Sequence, residues 1–164
     1  MSKKKLVPPK VDRSCIVVKS SPIHGKGVFV AKPIKKGAAI IEYKGERISW
    51  KLAEKRHPHN PKDPNHTFYF SLEDGRCIDA KYGGNAARWI NHSCKPTCET
   101  REDNFDGEPR VFIYAKRDLK LGEELFYDYS LGVEGRVTKQ MKRDYECRCG
   151  SKRCRGTMLS LDAK

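Results

Sequence analysis

The stretch "NHSCKPTC" (residues 91–98) places a histidine two positions before one cysteine, with a second cysteine four positions further on. A Cys/His nucleophilic pair, a metal site and a polar loop all fit that pattern. A second cluster bears on the choice: "CRCGSKRC" (147–154) holds Cys147, Cys149 and Cys154 in a C-x-C-x4-C arrangement. Three thiolates this close in sequence converge readily on one ion, and zinc takes four N or S ligands in tetrahedral geometry. The C-terminal cluster is therefore one ligand short, and the bland alternative is three free thiols on a basic tail. Candidates for the fourth position are Cys94, Cys98 and His92, and spacing alone does not choose between the two cysteines. Gly150 lets the loop fold back, while Lys152, Arg153 and Arg155 offset the thiolate charge. The nucleophile reading is the weakest, because no orienting carboxylate stands out beside His92 and Cys94. Cys15 and Cys77 lie in apolar runs and read as buried small hydrophobes.

Length and charge bound the rest. A chain of 164 residues is long enough for one domain with its own core. Thirty-four Lys+Arg against 21 Asp+Glu give a net charge of +13, which attracts acidic partners at long range. Part of the excess is an N-terminal tail over residues 1–13, carrying Lys3, Lys4, Lys5, Lys10 and Arg13. It reads as a solvated, disordered leader, with weak non-specific nucleic-acid contact as the sharper alternative. No run of 18 apolar residues is present, so no membrane span or membrane partner is expected. No apolar stretch follows the basic start, so no secretory signal is expected. Seven cysteines without such a signal favour metal ligands or free thiols in a reducing compartment. The expected location is intracellular: cytoplasm, nucleus or nucleoid, or a host cell if the source is a bacterium.

Most periodicity is near two. "CIVVKS" (15–20), "GVFVA" (27–31) and "AAIIEY" (38–43) are short β-branched runs bounded by Gly, Pro or Ser. "TFYFSLEDGRCIDA" (67–80) reads as a hairpin turning at Asp74-Gly75. "NFDGEP" (104–109) leads into "RVFIYA" (110–115) as a second hairpin, and "EELFYDYS" (123–130) is an aromatic strand candidate. Helical signals are confined to "SWKLAEKR" (49–56) with Ser49 as cap, "TKQMKRDY" (138–145), and one or two turns in "GNAARWIN" (84–91). "KRHPHNPKDPN" (55–65) carries three prolines and is expected to lack regular structure.

Taken together, these motifs resemble the SET-domain protein lysine methyltransferases with a post-SET zinc segment. "HGKGVF" is similar to the family's cofactor loop, and "EYKGE" to its following strand. "DAKYGGNAARWINHSCKPTC" is similar to its Asn-His-Ser-Cys signature, "GEELFYDY" to its catalytic tyrosine strand, and "CRCGSKRCRG" to its post-SET cluster. Five motifs in family order span about residues 14–158. The resemblance implies a mainly β, β-clip-like SET fold: several small sheets, short helices and a knot-like C-terminal crossing. It divides the chain into a SET domain over 14–130 and a linker helix with the zinc segment over 131–164.

The same resemblance implies S-adenosylmethionine as methyl donor, S-adenosylhomocysteine as product, and a lysine in a protein or peptide, histone or histone-like, as acceptor. By position, Lys26 and Gly27 would meet the cofactor through backbone groups. Arg88, Asn91 and His92 would hold its amino-acid end or adenine, and Thr67, Phe68 and Tyr129 complete the cofactor set. Tyr129 is the implied catalytic hydroxyl. Tyr127, two residues earlier and on the same strand face, leans towards mono- or dimethylation. Cys94 would join Cys147, Cys149 and Cys154 around structural zinc, leaving Cys98 free. Phe68 stands where many members have a tyrosine, with Tyr69 as its neighbour facing the other way. Thr97 stands where Asn is usual. No cysteine-rich segment precedes the domain, so substrate selection is not expected to use one. A basic enzyme acting on a basic substrate needs local acid, and Glu99, Glu102, Asp103, Asp106 and Glu108 are the expected source near the channel.

Overall fold

The computed structural model describes residues 5–56, 69–132 and 135–161. Among these, ten short strands form four small sheets, with two short helices in the connections. The β-branched runs expected from the sequence become β1 (Ile16–Ser20), β2 (Lys26–Val30) and β3 (Ala39–Glu42). β4 (Glu46–Ser49), which no alternation announces, precedes α1 (Trp50–Arg56). The Ser49 hydroxyl accepts the Leu52 N–H at 3.2 Å and so satisfies one open donor of that helix. β5 (Tyr69–Ser71) and β6 (Arg76–Asp79) form the first expected hairpin, closed by residues 72–75 rather than by a two-residue turn. β7 (Asn91–His92) follows a 3-10 turn over Ala86–Trp89. β8 (Cys98–Phe105) and β9 (Glu108–Ala115) pair over their whole length. Asp106 (φ 52°) and Gly107 (φ 84°) supply the two left-handed residues that a two-residue hairpin turn requires. The expected strand over 123–130 shrinks to β10 (Phe126–Tyr127), and α2 (Lys139–Asp144) is capped by Thr138.

The sheets are β1-β2, β3-β9-β8, β4-β6-β5 and β7-β10. The last pair is parallel, with Phe126 opposite Asn91 and Tyr127 opposite His92. It joins the two motifs that the family resemblance makes functional. The core where the sheets converge is aliphatic, with Val28, Ile41, Ile78, Ile90, Val111, Ile113 and Leu125 at most 1% exposed. Cys77 and Cys98 are wholly buried, as small hydrophobes should be, whereas Cys15 is half-buried and points its thiol at Asp12, 3.6 Å away.

Of the N-terminal tail, Lys5 lies 2.8 Å from Asp106 and Arg13 opens a 3-10 turn. Thr67, Phe68 and most of the proline-rich stretch lie outside the described residues. No helix among the described residues is long and apolar enough to cross a membrane.

Candidate active site

The C-terminal cysteines meet the opening stretch. The sulfurs of Cys94, Cys147, Cys149 and Cys154 all lie within 4.8 Å of one another, with Cys94 3.6 Å from Cys147 and 3.9 Å from Cys154. A tetrahedron with Zn–S bonds of 2.3 Å has S···S edges of about 3.8 Å, so the donor set fits zinc in number, chemistry and spacing. Cys98 is excluded: it sits in the core, 0% exposed, and burial pushes its thiol up to about 11. Burial likewise raises the thiols of Cys94 and Cys147. At Cys149 burial is outweighed by donation from the Ser151 and Cys94 amides and the Cys147 and Cys154 thiols, bringing it down to about 6. One member of the cluster thus favours the thiolate even before a metal arrives.

His92 explains why the opening motif was ambiguous. Its Nε2 lies 3.5 Å from Cys94 Sγ, and the carboxylate of Asp128 lies 3.6 Å from Nδ1. A carboxylate thus lies beside the ring, which the sequence did not announce, yet it makes no hydrogen bond to it. The nucleophile reading fails on the tautomer. Nδ1 accepts the Tyr129 N–H at 3.0 Å, so on the neutral ring the proton sits on Nε2, facing the sulfur. Such a ring donates to the thiolate and has no lone pair with which to deprotonate it. Burial pushes the imidazole down to about 4, which keeps it neutral. His92 is thus an outer support of the sulfur cluster and an anchor for the Tyr129 backbone.

Tyr129 leads into a cavity of about 500 Å³. Its walls come from Tyr43 after β3, Trp50 and Glu54 on α1, Tyr69 and Phe70 on β5, Arg88, Tyr127 on β10, Tyr129, and Tyr145, Met158 and Leu159 from the C-terminal segment. Aromatic rings run through it in sequence. Tyr43 and Phe70 are 5.2 Å apart, Phe70 and Tyr127 6.3 Å, Tyr127 and Tyr129 4.8 Å, and Tyr129 and His92 5.3 Å. The Tyr129 hydroxyl donates to the Ile90 carbonyl, and the Tyr69 hydroxyl to the Ala53 carbonyl at 3.2 Å. Burial raises the phenols of Tyr43, Tyr127 and Tyr129, so all three stay neutral in ordinary buffers. Tyr43 and Phe70 were missed from sequence: each reads as a strand aromatic, and only the meeting of β3, β5 and β10 puts them on one wall.

Arg88, Tyr127 and Tyr129, among the residues expected at the site, line this cavity. Lys26, Gly27, Asn91 and His92 stand on adjacent strands and are not among the lining residues. Asn91 instead ties the β1–β2 loop down. Its amide donates to the carbonyls of His24 (3.2 Å) and Lys26 (3.0 Å) and to the carboxylate of Glu124 (3.0 Å). Glu124, which sequence reasoning overlooked, also accepts from the Ser21 hydroxyl at 2.8 Å. A Cβ on Gly27 would stand 2.2 Å from Glu124 Oε1, so any larger residue there must push that carboxylate aside. Lys26 and Arg88 both lie over the Trp89 ring, at 4.8 and 4.9 Å.

The C-terminal segment is fastened to the tyrosine strand by Arg155, whose guanidinium donates to both oxygens of Asp128 at 2.8 and 2.9 Å. It also reaches the carbonyls of Leu159 (3.0 Å) and Met158 (3.3 Å). Burial raises the Asp128 carboxyl, but Arg155, the Ser130 N–H and His92 outweigh that and hold it near about 2. The acidic residues expected near the channel are elsewhere. Glu99 pairs with Arg101, Glu102 accepts the Glu73 N–H, Asp106 pairs with Lys5 and Glu108 faces Arg47, and none of these, nor Asp103, lines the cavity. Among the described residues the carboxylate at the cavity is that of Glu54.

A cavity of this size suits a small-molecule ligand, and Arg88 gives it a fixed cation able to meet the carboxylate of an amino-acid moiety. The SET domain family model matches residues 25–130. The chain is 38% identical over 146 residues to Histone-lysine N-methyltransferase 2B of Homo sapiens, covering 89% of this chain and 5% of that protein. It is 37% identical over 146 residues to Histone-lysine N-methyltransferase trr of Drosophila melanogaster, covering 89% and 6%. It is 36% identical over 150 residues to Histone-lysine N-methyltransferase set1 of Dictyostelium discoideum, covering 91% and 10%. The chain thus spans a tenth or less of the length of these relatives. With the family match falling on the strands, the tyrosine wall and the Asn91–Cys94 motif described above, the chain belongs to the SET domain family.

Proposed function

We propose that the chain transfers a methyl group from S-adenosylmethionine to the side-chain amine of a lysine in a protein, with a histone or another basic protein as the favoured substrate. The observation that carries this reading is the cavity of buried neutral tyrosines beside Arg88, in a chain of the SET domain family. The cofactor, when bound, supplies an electrophilic methyl on a sulfonium; the C–S bond breaks, an N–C bond forms, and the amine's proton leaves to solvent. A lysine must arrive neutral, and against a reference pKa near 10.4 that costs about 4.6 kcal/mol at pH 7. A poorly solvated aromatic channel lowers this cost by disfavouring the ammonium. Tyr129 and Tyr127 present oxygens that accept from an amine without fixing it as a salt bridge, because burial keeps both phenols un-ionised. Tyr129 is the catalytic hydroxyl in this reading, held by the Ile90 carbonyl. Tyr127, 8% exposed, crowds the amine and limits transfer to one or two methyls.

The relatives' names specify histone lysine, and Glu54 at the wall offers a negative charge to a basic peptide. The four-sulfur cluster would hold one structural zinc, through Cys94, Cys147, Cys149 and Cys154. The test is incubation with isotope-labelled S-adenosylmethionine and a protein lysate, followed by mass spectrometry. Label on lysine Nζ, with melting temperature rising with cofactor concentration, is the expected result. Absence of both would overturn the reading.

A further inference from the structure

We infer that a second face of the molecule, none of whose residues lines the cavity, is a docking surface for the phosphate backbone of duplex DNA. It is built from "AKPIKKG" (31–37) and "AKRDLKLG" (115–122). Ile34 and Leu119 hold the two loops together, exchanging N–H···O bonds of 3.0 and 2.8 Å. Both side chains enter the core, 6% and 2% exposed. With Ile34 and Leu119 turned in, the solvent-facing charges are mostly cationic: Lys32, Lys35, Lys36, Lys116, Arg117 and Lys120 are all exposed. Three carboxylates accompany these six cations, and each is already engaged. Asp12, beside Lys32, accepts the Ser14 N–H and hydroxyl. Asp118 accepts the Lys36 N–H at 2.8 Å, and Glu123 takes Arg117 at 2.7 Å and the Lys120 N–H at 2.6 Å. Lys32 reaches the Ser14 hydroxyl at 3.0 Å. Among the described residues no carboxylate forms an ion pair with Lys35, Lys36, Lys116 or Lys120. Residues 12–15 adjoin this face, the Ala31 N–H donating to the Cys15 carbonyl at 2.7 Å, and bring Arg13 together with Asp12.

The composition of this ridge selects its partner. Single-stranded nucleic acid is held by aromatic rings on which bases stack, and neither loop contains one. Direct base readout places a recognition element such as a helix in the major groove, and neither loop forms a helix. Protein–protein hot spots favour large anchors such as Trp and Tyr, and these loops have neither, with only Leu121 and Pro33 apolar and exposed. Exposed lysines without any of these match a duplex backbone read by charge alone. The ridge works without the cavity, since none of its residues lines it, and would hold a DNA-bound substrate near the site.

The experiment is fluorescence anisotropy of a labelled duplex of arbitrary sequence, without cofactor, over a salt series. Four unpaired lysines contribute about −3.6 to the slope of log K against log salt, a loss of about 150-fold from 50 to 200 mM. Replacing Lys35, Lys36, Lys116 and Lys120 by alanine should make the slope shallower by that amount and leave methylation of a free peptide unchanged. A control of equal charge, with alanine at Lys51, Lys95, Lys142 and Lys152, should keep the wild-type slope. The inference is overturned if the ridge variant binds DNA like the wild type, or if the control loses as much. It is also overturned if polyglutamate binds the ridge with an equal salt slope, which would indicate an acidic protein partner. Because DNA binding is read without cofactor, a failure of the methyl-transfer reading leaves this test intact.

Discussion

Arg155→Ala tests whether the zinc segment acts on the cavity through one side chain. The guanidinium joins Asp128 by two charge-assisted bonds and also holds the Met158 and Leu159 carbonyls. The side chains of Arg155 and Asp128 are 23% and 32% exposed, so the pair lies between two regimes. Exposed ion pairs contribute up to about 1 kcal/mol, whereas breaking a buried pair costs about 3–5 kcal/mol. We expect about 2 kcal/mol, which for a chain of this length lowers the melting temperature by about 4–8 °C. Urea unfolding of Arg155→Ala, Asp128→Asn and the double variant should give a coupling of about 1–2 kcal/mol. Met158 and Leu159 are cavity walls; if about 1.4 kcal/mol of that coupling is lost from the closed wall, kcat/KM on core histones falls about tenfold. Metal content must stay at one zinc per chain, which separates the latch from loss of the sulfur cluster. Additive variants, or wild-type kcat/KM with the latch broken, would refute the reasoning.

Four further outcomes are expected. Tyr129→Phe should slow methyl transfer on the order of 10²-fold and cost about 1 kcal/mol of stability through the orphaned Ile90 carbonyl, with cofactor affinity nearly unchanged by calorimetry; wild-type turnover would remove Tyr129 from the chemistry. Chelation should release zinc, make the four sulfurs reactive to a thiol reagent and abolish transfer even in excess cofactor; retained activity without metal would show that the cluster is dispensable. Gly27→Ala should drive the Glu124 carboxylate off Ser21 and Asn91, given the 2.2 Å approach, and weaken cofactor binding in calorimetry; unchanged affinity would mean that the loop does not serve the cofactor. The folded Asp128 carboxyl titrates near about 2, below the 3.8 of an unperturbed one. Its stabilisation is therefore complete above pH 3.8 and is lost as pH falls from there towards 2. The stability difference between wild type and Asp128→Asn, followed by urea titration, should shrink across that window. A difference that grows there would contradict the assignment.

Much was readable from local order. The β-branched runs, both hairpins, the Ser49 cap and the C-x-C-x4-C cluster are short-range signals, and each appears in the fold close to where the sequence put it. β10 came out shorter than its aromatic run, because its partner β7 offers just Asn91 and His92 to pair with. β4 had no alternation to announce it and exists because β6 supplies a ladder.

In "NHSCKPTC" the two kinds of information separate cleanly. Residue types and spacing along the chain determined a mainly β domain, a four-ligand metal chemistry lacking one member, and a tyrosine strand of known family pattern. They did not determine which cysteine completes the cluster, since Cys94 and Cys98 are equivalent on paper. Tertiary structure decided it by burying Cys98 in the core and turning Cys94 towards Cys147 and Cys154. It also decided that Asp128 faces His92, that Glu124 anchors the β1–β2 loop, and that Tyr43 and Phe70 share a wall with Tyr129. Each of these contacts joins residues tens of positions apart. Local propensity carries no record of such pairs, because they are set by which sheets pack together and not by the residues beside them in the chain.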